Sequence, residues 1–395
     1  MHLHILGLGP VGCLLAHNLR QILPPTHSIS LIHKSGKERL LFLRRGNIAL
    51  ERAGAVTYSS DEFSHEVFNT STAPHDKSTP STTPIDSVFV ALKAQYTLGA
   101  IKHLAPRLSP SSTIVLMQNG MGVYEQLLSE VFRNPTQRPH FILASNTHGA
   151  FTSNPYHVVH AGIGAIEFGI APDSSGRDYE AGLDDSSVGP EERRLRISDI
   201  CLPSDVDFSR FKTLRETTAA LLLAKSLNVS WLPFSHLQMA MRRKLVVNAV
   251  INPLTAILSC RNGDLFQHEA ARNIVMQVCR EASAVYDAQI RLEVDAWLKE
   301  LELHRVDTQK IQMPSFPETL TSKSLEEEVV RVAELTKGNI SSMLQDVRRG
   351  RETEIEFING YLENLGREHG IETPAITMLR NLVELKYFMP LDLMI

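Results

Sequence analysis

The sequence predicts an α/β domain of the doubly wound, parallel-sheet kind, followed by an all-helical domain. Three observations carry this. Short apolar runs alternate with helical stretches through the first part of the chain. A glycine-rich turn joins the first run to the first helical stretch. From about Asp207 the alternation gives way to long helical periods. The expected domains are therefore 1–205 and 206–395.

The candidate strands are 2–6, 28–32, 87–92, 113–117 and 140–144. Helical stretches between them include 11–23 and 122–132. Residues 156–169 combine β-branched residues with glycines and are expected as extra strands closing the domain. In the second domain the helical periods are 211–227, 235–249, 267–292, 340–349 and 354–368. Two polar insertions interrupt the first domain. Residues 69–84 are rich in Ser, Thr and Pro and have almost nothing to bury. Residues 171–194 hold seven acids against three arginines and are expected to be a solvated loop. A weaker break falls at 313–324.

Composition excludes several functional classes. The 395 residues are 43% hydrophobic and 21% charged, which suits two or three domains with real cores. Forty Lys and Arg against 44 Asp and Glu leave a net charge of −4, with no general pull toward nucleic acid or an anionic membrane. No run approaches the roughly 20 apolar residues of a membrane span. Cys13, Cys201, Cys260 and Cys279 form no CxxC pair, so neither a zinc site nor a disulfide framework is expected. Met1 leads straight into an apolar strand without a basic or Arg-rich leader. The cytosol is the default compartment, with an internal or carboxy-terminal address and a mitochondrial destination left open.

Gly7-Leu8-Gly9-Pro10-Val11-Gly12 is a full G-x-G-x-x-G between a strand and a helix. Gly7 permits the tight turn, Gly9 lets backbone approach a pyrophosphate, and Gly12 lets helix and strand pack closely. Pro10 and Val11 open the helix, whose free N–H groups and partial positive charge suit phosphates. The first domain is thus expected to be a Rossmann-type dinucleotide-binding domain. An NAD-specific fold usually ends its second strand in a carboxylate. Here that strand runs into His33-Lys34, with Lys37 and Arg39 close behind. Basic groups there attract a 2′-phosphate, so the expected cofactor is NADP(H). Lys93 and Asn119 follow the strands 87–92 and 113–117, at the edge that faces the ligand in open α/β sheets. Lys93 is a candidate cofactor contact and Asn119 could orient ribose or nicotinamide; a solvated lysine and an Asn-Gly turn are the plain alternatives. His148 ends another strand at this edge and reads more simply as a structural loop histidine.

In the helical domain Lys244, Asn248 and Asn252 recur every four residues and so share one helix face. The residues around them are apolar. Such a polar ladder is costly unless it is paired or lines a cleft, and a structural ladder of satisfied amides is the alternative. Pro253 is expected to end or bend this helix and to free nearby carbonyls. Further on, Ser341 or Ser342 caps a helix or sits in its first turn, and Glu354 opens the next apolar helix. The plain alternative for this acidic and basic window is a charged surface helix.

These blocks resemble the ketopantoate reductase family, in the superfamily of 6-phosphogluconate-dehydrogenase-like C-terminal domains. The resemblance rests on GLGPVG near the start, LKAQ at 92–95, QNGMG at 118–122, THGA at 147–150, KLVVNAVINPLTAI at 244–257, RNGDL at 261–265 and SSMLQDVRRGRETEIEFINGY at 341–361. It implies reduction of the 2-oxo acid ketopantoate to pantoate with NADPH, on the route to pantothenate and coenzyme A. It also implies Lys244 and Glu354 as catalytic residues. Asn119, Asn248, Asn252, Asn262 and Ser342 would then bind substrate. Gly7, Gly9, Pro10, Val11, Gly12, His33, Lys34, Lys93 and Asn119 would hold the cofactor. The partners implied are a small 2-oxo acid and no nucleic acid, membrane or metal, with the chain a monomer or homodimer. The chemistry agrees, because hydride addition places negative charge on the carbonyl oxygen. A protonated Lys244 could stabilise that charge and donate the proton. Glu354 nearby would favour the charged lysine.

Overall fold

The computed structural model describes residues 1–59, 62–68, 81–303 and 315–389. Most of the first insertion, 69–80, and residues 313–314 of the weaker break lie outside the described residues. The chain divides into two compact units, Met1–Gln118 with Val123–Gln238, and Asn119–Gly122 with Met239–Ile395.

The first unit runs β1 (His2–Leu6), α1 (Pro10–Ile22), β2 (Ser28–His33), α2 (Gly36–Arg45), β3 (Ala49–Arg52), β4 (Ala55–Tyr58), β5 (Ser64–Val67), β6 (Ser87–Val90), α3 (Ala94–Leu104), β7 (Thr113–Leu116), α4 (Val123–Glu130), β8 (His140–Asn146), β9 (Gly149–Asn154), β10 (His157–Gly162), β11 (Ile166–Ile170), α5 (Ile197–Ile200), α6 (Phe208–Leu223) and β12 (Val229–Trp231). Eight strands form one sheet in the order β12-β11-β8-β7-β6-β1-β2-β5. Every neighbouring pair is parallel except β8 and β11. From β1 the chain builds outward through β2 and β5, then returns to β6 on the other side. The strand order thus reverses at the β1–β6 pair, where open α/β sheets bind ligands. Strand β1 alternates as a sheet strand must: Leu3 and Ile5 enter the core under α1, and His4 is buried on the opposite face. Of the extra strands expected at 156–169, β11 joins this sheet. Strand β10 joins a second sheet of order β4-β3-β10-β9.

Side chains close two of the helix ends in this unit. Arg20, in the last turn of α1, donates to the carbonyls of Leu23 at 2.8 Å and His27 at 2.9 Å. Ser35 caps α2 through Glu38 N, and Gly46 closes its other end at φ +82° with its N–H on Phe42 O.

A half-buried ion pair ties β5 to Arg107, beyond α3. Glu66 on β5 accepts from Arg107 Nη1 at 2.8 Å and Nη2 at 3.0 Å, and from His4 Nε2 at 3.3 Å. Burial pushes this carboxyl up, but the bonds from His4 and Arg107 outweigh it and hold the group down at about 2, against an ordinary 4.5. A carboxyl depressed in the folded state contributes stability above its unfolded value and loses it as pH falls toward the folded one. Stability should therefore drop by roughly 2–3 kcal/mol on this account between about pH 4.5 and 2. Denaturant midpoints measured across that window should show a shallower fall in Glu66→Gln. An unchanged profile would remove Glu66 as the acid-labile contact.

The insertion 171–194 is exposed over most of its length, as expected, but is anchored on the first unit at Tyr179. Tyr179 is buried against Phe211, and the Arg177 guanidinium lies 4.8 Å over the same ring. Two of its acids pair with arginines beyond it, Asp173 with Arg210 and Asp185 with Arg196, and its Arg177 pairs with Asp205. Composition showed the charges but not their partners.

The boundary expected after residue 205 also moves. Helix α6 packs on β6, β7 and β12 and puts Phe211, Leu214 and Leu221 into the core of the first unit. Helical periodicity marks the element, not the surface on which it packs.

The second unit takes up most of α7 (Phe234–Leu258), then α8 (Glu269–Leu303), α9 (Ser322–Leu335), α10 (Ser342–Arg348), α11 (Ile355–Glu368) and α12 (Pro374–Phe388). Its core joins Val246 and Val250 of α7 to Val278, Val285, Val329 and Ile358 on the other helices. Glu281, buried on α8, accepts from the Ala375 and Ile376 N–H groups at 3.0 Å each and so caps α12 with a negative charge. Of the two outcomes expected at Pro253, an end or a bend, the end does not occur, and α7 continues to Leu258. The carbonyl that a proline at 253 orphans is that of Ala249. Asn359 Nδ2 on α11 meets it at 3.1 Å. Among the described residues no helix is long and apolar enough to cross a membrane.

Candidate active site

The glycine turn leaves β1 at the reversal of strand order. Gly7 has φ +98°, and a Cβ there would lie 2.7 Å from the Ala91 carbonyl. A Cβ on Gly12 would lie 1.9 Å from Gly7 O, so α1 can approach β1 this closely only with glycine. At Gly9 a Cβ would meet nothing within 4 Å. The N-cap Gly9 has no side chain to spend on the helix, and Pro10 has no N–H. The first helical bond is Cys13 N to Gly9 O at 2.9 Å. The Val11 and Gly12 N–H groups therefore precede any helical acceptor. Open backbone at Gly9 beside a helix N-terminus fits the diphosphate of a dinucleotide.

The basic cluster after β2 differs from its expectation in one respect. His33 is fully buried and neutral. Its Nδ1 lies 3.1 Å from Tyr156 Oη and its Nε2 lies 3.0 Å from His65 Nδ1. Tyr156 spends its hydrogen on Glu38 O at 3.0 Å, so His33 Nδ1 donates to Tyr156 and Nε2 accepts from His65. Burial, then the His65 and Arg39 charges, lower its pKa to about 3. His33 thus has neither a free nitrogen nor a charge for a phosphate. Lys34 is exposed, and Ser35, Lys37 and Arg39 follow it around the first turn of α2.

Lys93 is half-buried at the N-cap of α3, just beyond the carboxyl end of β6. His148 is a structural histidine. It is buried, bonded through Nε2 to Leu227 O at 3.0 Å, and its Nδ1 receives Gly164 N and His160 Nε2.

In the second unit Lys244 Nζ donates to Asn119 Oδ1 at 3.1 Å. Asn119 is held there by its own loop. Gly120, at φ +86°, packs so closely on α11 that a Cβ would lie 2.4 Å from Phe357 O, and Met121 N donates to that oxygen at 2.9 Å. Phe357 N in turn bonds to Glu354 O, and Glu354 is the N-cap of α11. Lys244 thus meets Asn119 directly, and the loop that carries Asn119 is bonded to the first turn of α11, which Glu354 opens. Asn248 and Asn252 follow Lys244 along α7, half-buried and buried respectively. Of the two serines, Ser341 is the buried cap, accepting from Leu344 N at 3.1 Å, which leaves Ser342 exposed at the first helical position. Asn262 is buried, with its amide donating to Thr336 Oγ1 at 2.9 Å, its backbone N–H on Asn339 O, and its Oδ1 unpartnered. Its bonds tie the turn 262–267 to the end of α9; none of them runs to Lys244 or Asn119. Sequence reasoning missed Asn359 and Thr255 as parts of this region. Pro253 was the one signal, since it announces an open carbonyl.

The family model described as ketopantoate reductase PanE/ApbA matches residues 3–173, and its C-terminal counterpart matches 236–387. The 2-dehydropantoate 2-reductase of Escherichia coli O157:H7 is 30% identical over 320 residues, covering 81% of this chain and 80% of the relative. That of Saccharomyces cerevisiae is 25% identical over 389 residues, covering 97% and 93%. Among solved structures, a PanE/ApbA family ketopantoate reductase from Ralstonia eutropha JMP134 superposes with a TM-score of 0.65 at 20% identity over 98% of each chain. D-mandelate dehydrogenase in its ternary structure with NADH and anilino(oxo)acetate gives 0.66 at 16% identity over 98% of each chain. At these identities both structures speak for the fold alone. The α/β unit with its glycine turn, the helical unit after it, and the matches along both together show that the chain belongs to the ketopantoate reductase family and is an oxidoreductase acting on CH–OH groups.

Proposed function

We propose that the protein reduces 2-dehydropantoate to pantoate with NADPH, a step toward pantothenate and coenzyme A. The observation that supports this most is the Lys244–Asn119 bond on a helix face that also presents Asn248 and Asn252. Bound NADPH would supply the hydride. An ammonium carries three N–H donors, one of which Lys244 gives to Asn119. Lys244 then stabilises the oxyanion and delivers the proton. Asn248, Asn252 and Ser342 offer donors and acceptors to the hydroxyl and carboxylate of the substrate. Glu354 supplies the balancing negative charge. Asn262 is the weakest member of this set, because the bonds it makes run to Thr336 and Asn339 rather than to Lys244 or Asn119.

The glycines Gly7, Gly9 and Gly12 hold the diphosphate, with Lys93 beside it. The 2′-phosphate is read by Lys34 and the N-terminus of α2, not by His33. Lys34→Ala should weaken NADPH by about tenfold, the scale of one charge-assisted hydrogen bond, while NADH binding stays within about twofold. An unchanged NADPH to NADH ratio would remove Lys34 from that role. The substrate is tested by comparing kcat/KM for ketopantoate with that for other branched 2-oxo acids, and by identifying the product. A clear preference for another acid would overturn the substrate assignment and leave the chemistry standing.

A further inference from the structure

The carbonyl left open by the internal proline of α7 is met by a side chain of α11, one of the helices that carry the rest of the proposed site. Pro253 leaves Ala249 O without a helical donor, and Ala249 lies between Asn248 and Asn252. Ala249 is fully buried, so water is a poor substitute. Asn359 Nδ2, on α11, lies 3.1 Å from Ala249 O and 3.5 Å from Ile376 O. Asn359 is 0% exposed, and its Oδ1 has no partner. A buried amide with an unpaired oxygen is costly, so packing gives no reason for asparagine here, whereas the donor does. One turn on, Thr255 Oγ1 lies 2.7 Å from Ile251 O, 3.0 Å from Asn252 O and 2.7 Å from Ser341 Oγ, the cap of α10. The repaired stretch thus joins α7 to α11, which opens after Glu354, and to α10, which opens on Ser342.

We propose that Asn359 is a positioning residue. By supplying the hydrogen bond that Pro253 cannot, it fixes the turn 248–252 of α7 against α11, and so sets Asn248 and Asn252 relative to Glu354. It touches neither substrate nor cofactor. The inference rests on the reading that α7 presents its polar face to the substrate.

The test is a double-mutant cycle in the full-length protein, assayed with NADPH and ketopantoate. Asn359→Ala should raise KM for ketopantoate and lower kcat/KM at least about tenfold, with the Kd for NADPH unchanged. Pro253→Ala returns an N–H to Ala249 O, and in that background Asn359→Ala should cost less than about threefold. Asn359→Leu keeps the volume without the donor, so it should behave like Asn359→Ala and be rescued by Pro253→Ala in the same way. Equal losses with and without Pro253→Ala, or a wild-type Asn359→Leu, would overturn the proposal. If Asn359→Ala does not fold, the comparison is Pro253→Ala against the double variant, where a loss above about tenfold overturns it. Melting temperatures of the same proteins report the coupling without activity. No turnover in the wild type together with coupled melting points would locate the failure in the proposed function rather than in the bond.

Discussion

Replacing Lys244 with alanine should lower kcat by at least about a hundredfold, the scale of general acid–base groups. The substitution removes the one ammonium bonded to Asn119 and exposes no large cavity, since Lys244 is only half-buried. The fold should therefore survive, with a melting temperature close to that of the wild type. NADPH should still bind, because the glycine turn lies in the first unit and Lys244 in the second. Lys244→Arg should restore little. A guanidinium stabilises an oxyanion but does not give up its proton at neutral pH. Stopped-flow and steady-state kinetics on folded variants check this. Near-wild-type turnover in Lys244→Ala would take the proton-donor role away from Lys244.

The second large effect is at the glycine turn, where two substitutions should separate folding from binding. In Gly12→Ala the new Cβ would sit 1.9 Å from Gly7 O, a backbone atom with no rotamer to change. Helix α1 must move off β1, at a cost of about 2–4 kcal/mol, and NADPH binding should fall with it. In Gly9→Ala the new Cβ meets nothing and φ is −78°, which any residue adopts. That variant should melt with the wild type yet bind NADPH at least about tenfold more weakly, because a methyl group intrudes where backbone approaches the diphosphate. Thermal melts paired with NADPH titrations give the answer. A Gly9→Ala variant that binds normally would show that the diphosphate does not pass this turn.

Much of the fold was legible because its signals are local. The strands 2–6, 28–32, 87–92, 113–117 and 140–144 all appear within two residues of their expected ends, since strands buried on both faces read as continuous apolar runs. Strands β3, β4 and β5 were not read. They are four residues each, and β4 is exposed throughout. Helices α9 and α12 were also missed, α9 because it begins inside a segment read as a break.

The site was legible as residue types and blurred wherever burial decides chemistry. His33 looked like a cation beside Lys34. Its neutrality comes from burial first and then from the His65 and Arg39 charges, and its Nδ1 is taken by Tyr156, 123 residues away. The serine pair at 341–342 could not be resolved from sequence, because capping depends on which backbone turns first. Pro253 announced an open carbonyl, but nothing local says that Asn359, 110 residues from Ala249, supplies the donor. The acidity of 171–194 pointed to solvent, which most of the segment meets, but it did not show that Asp173 and Asp185 pair with Arg210 and Arg196.

The central claim is that this chain spends NADPH on ketopantoate. The direct measurement mixes purified protein with both and follows NADPH absorbance. The account predicts oxidation that saturates with ketopantoate, needs it, and yields one equivalent of pantoate per NADPH. Tight NADPH binding with no ketopantoate-dependent oxidation would contradict it.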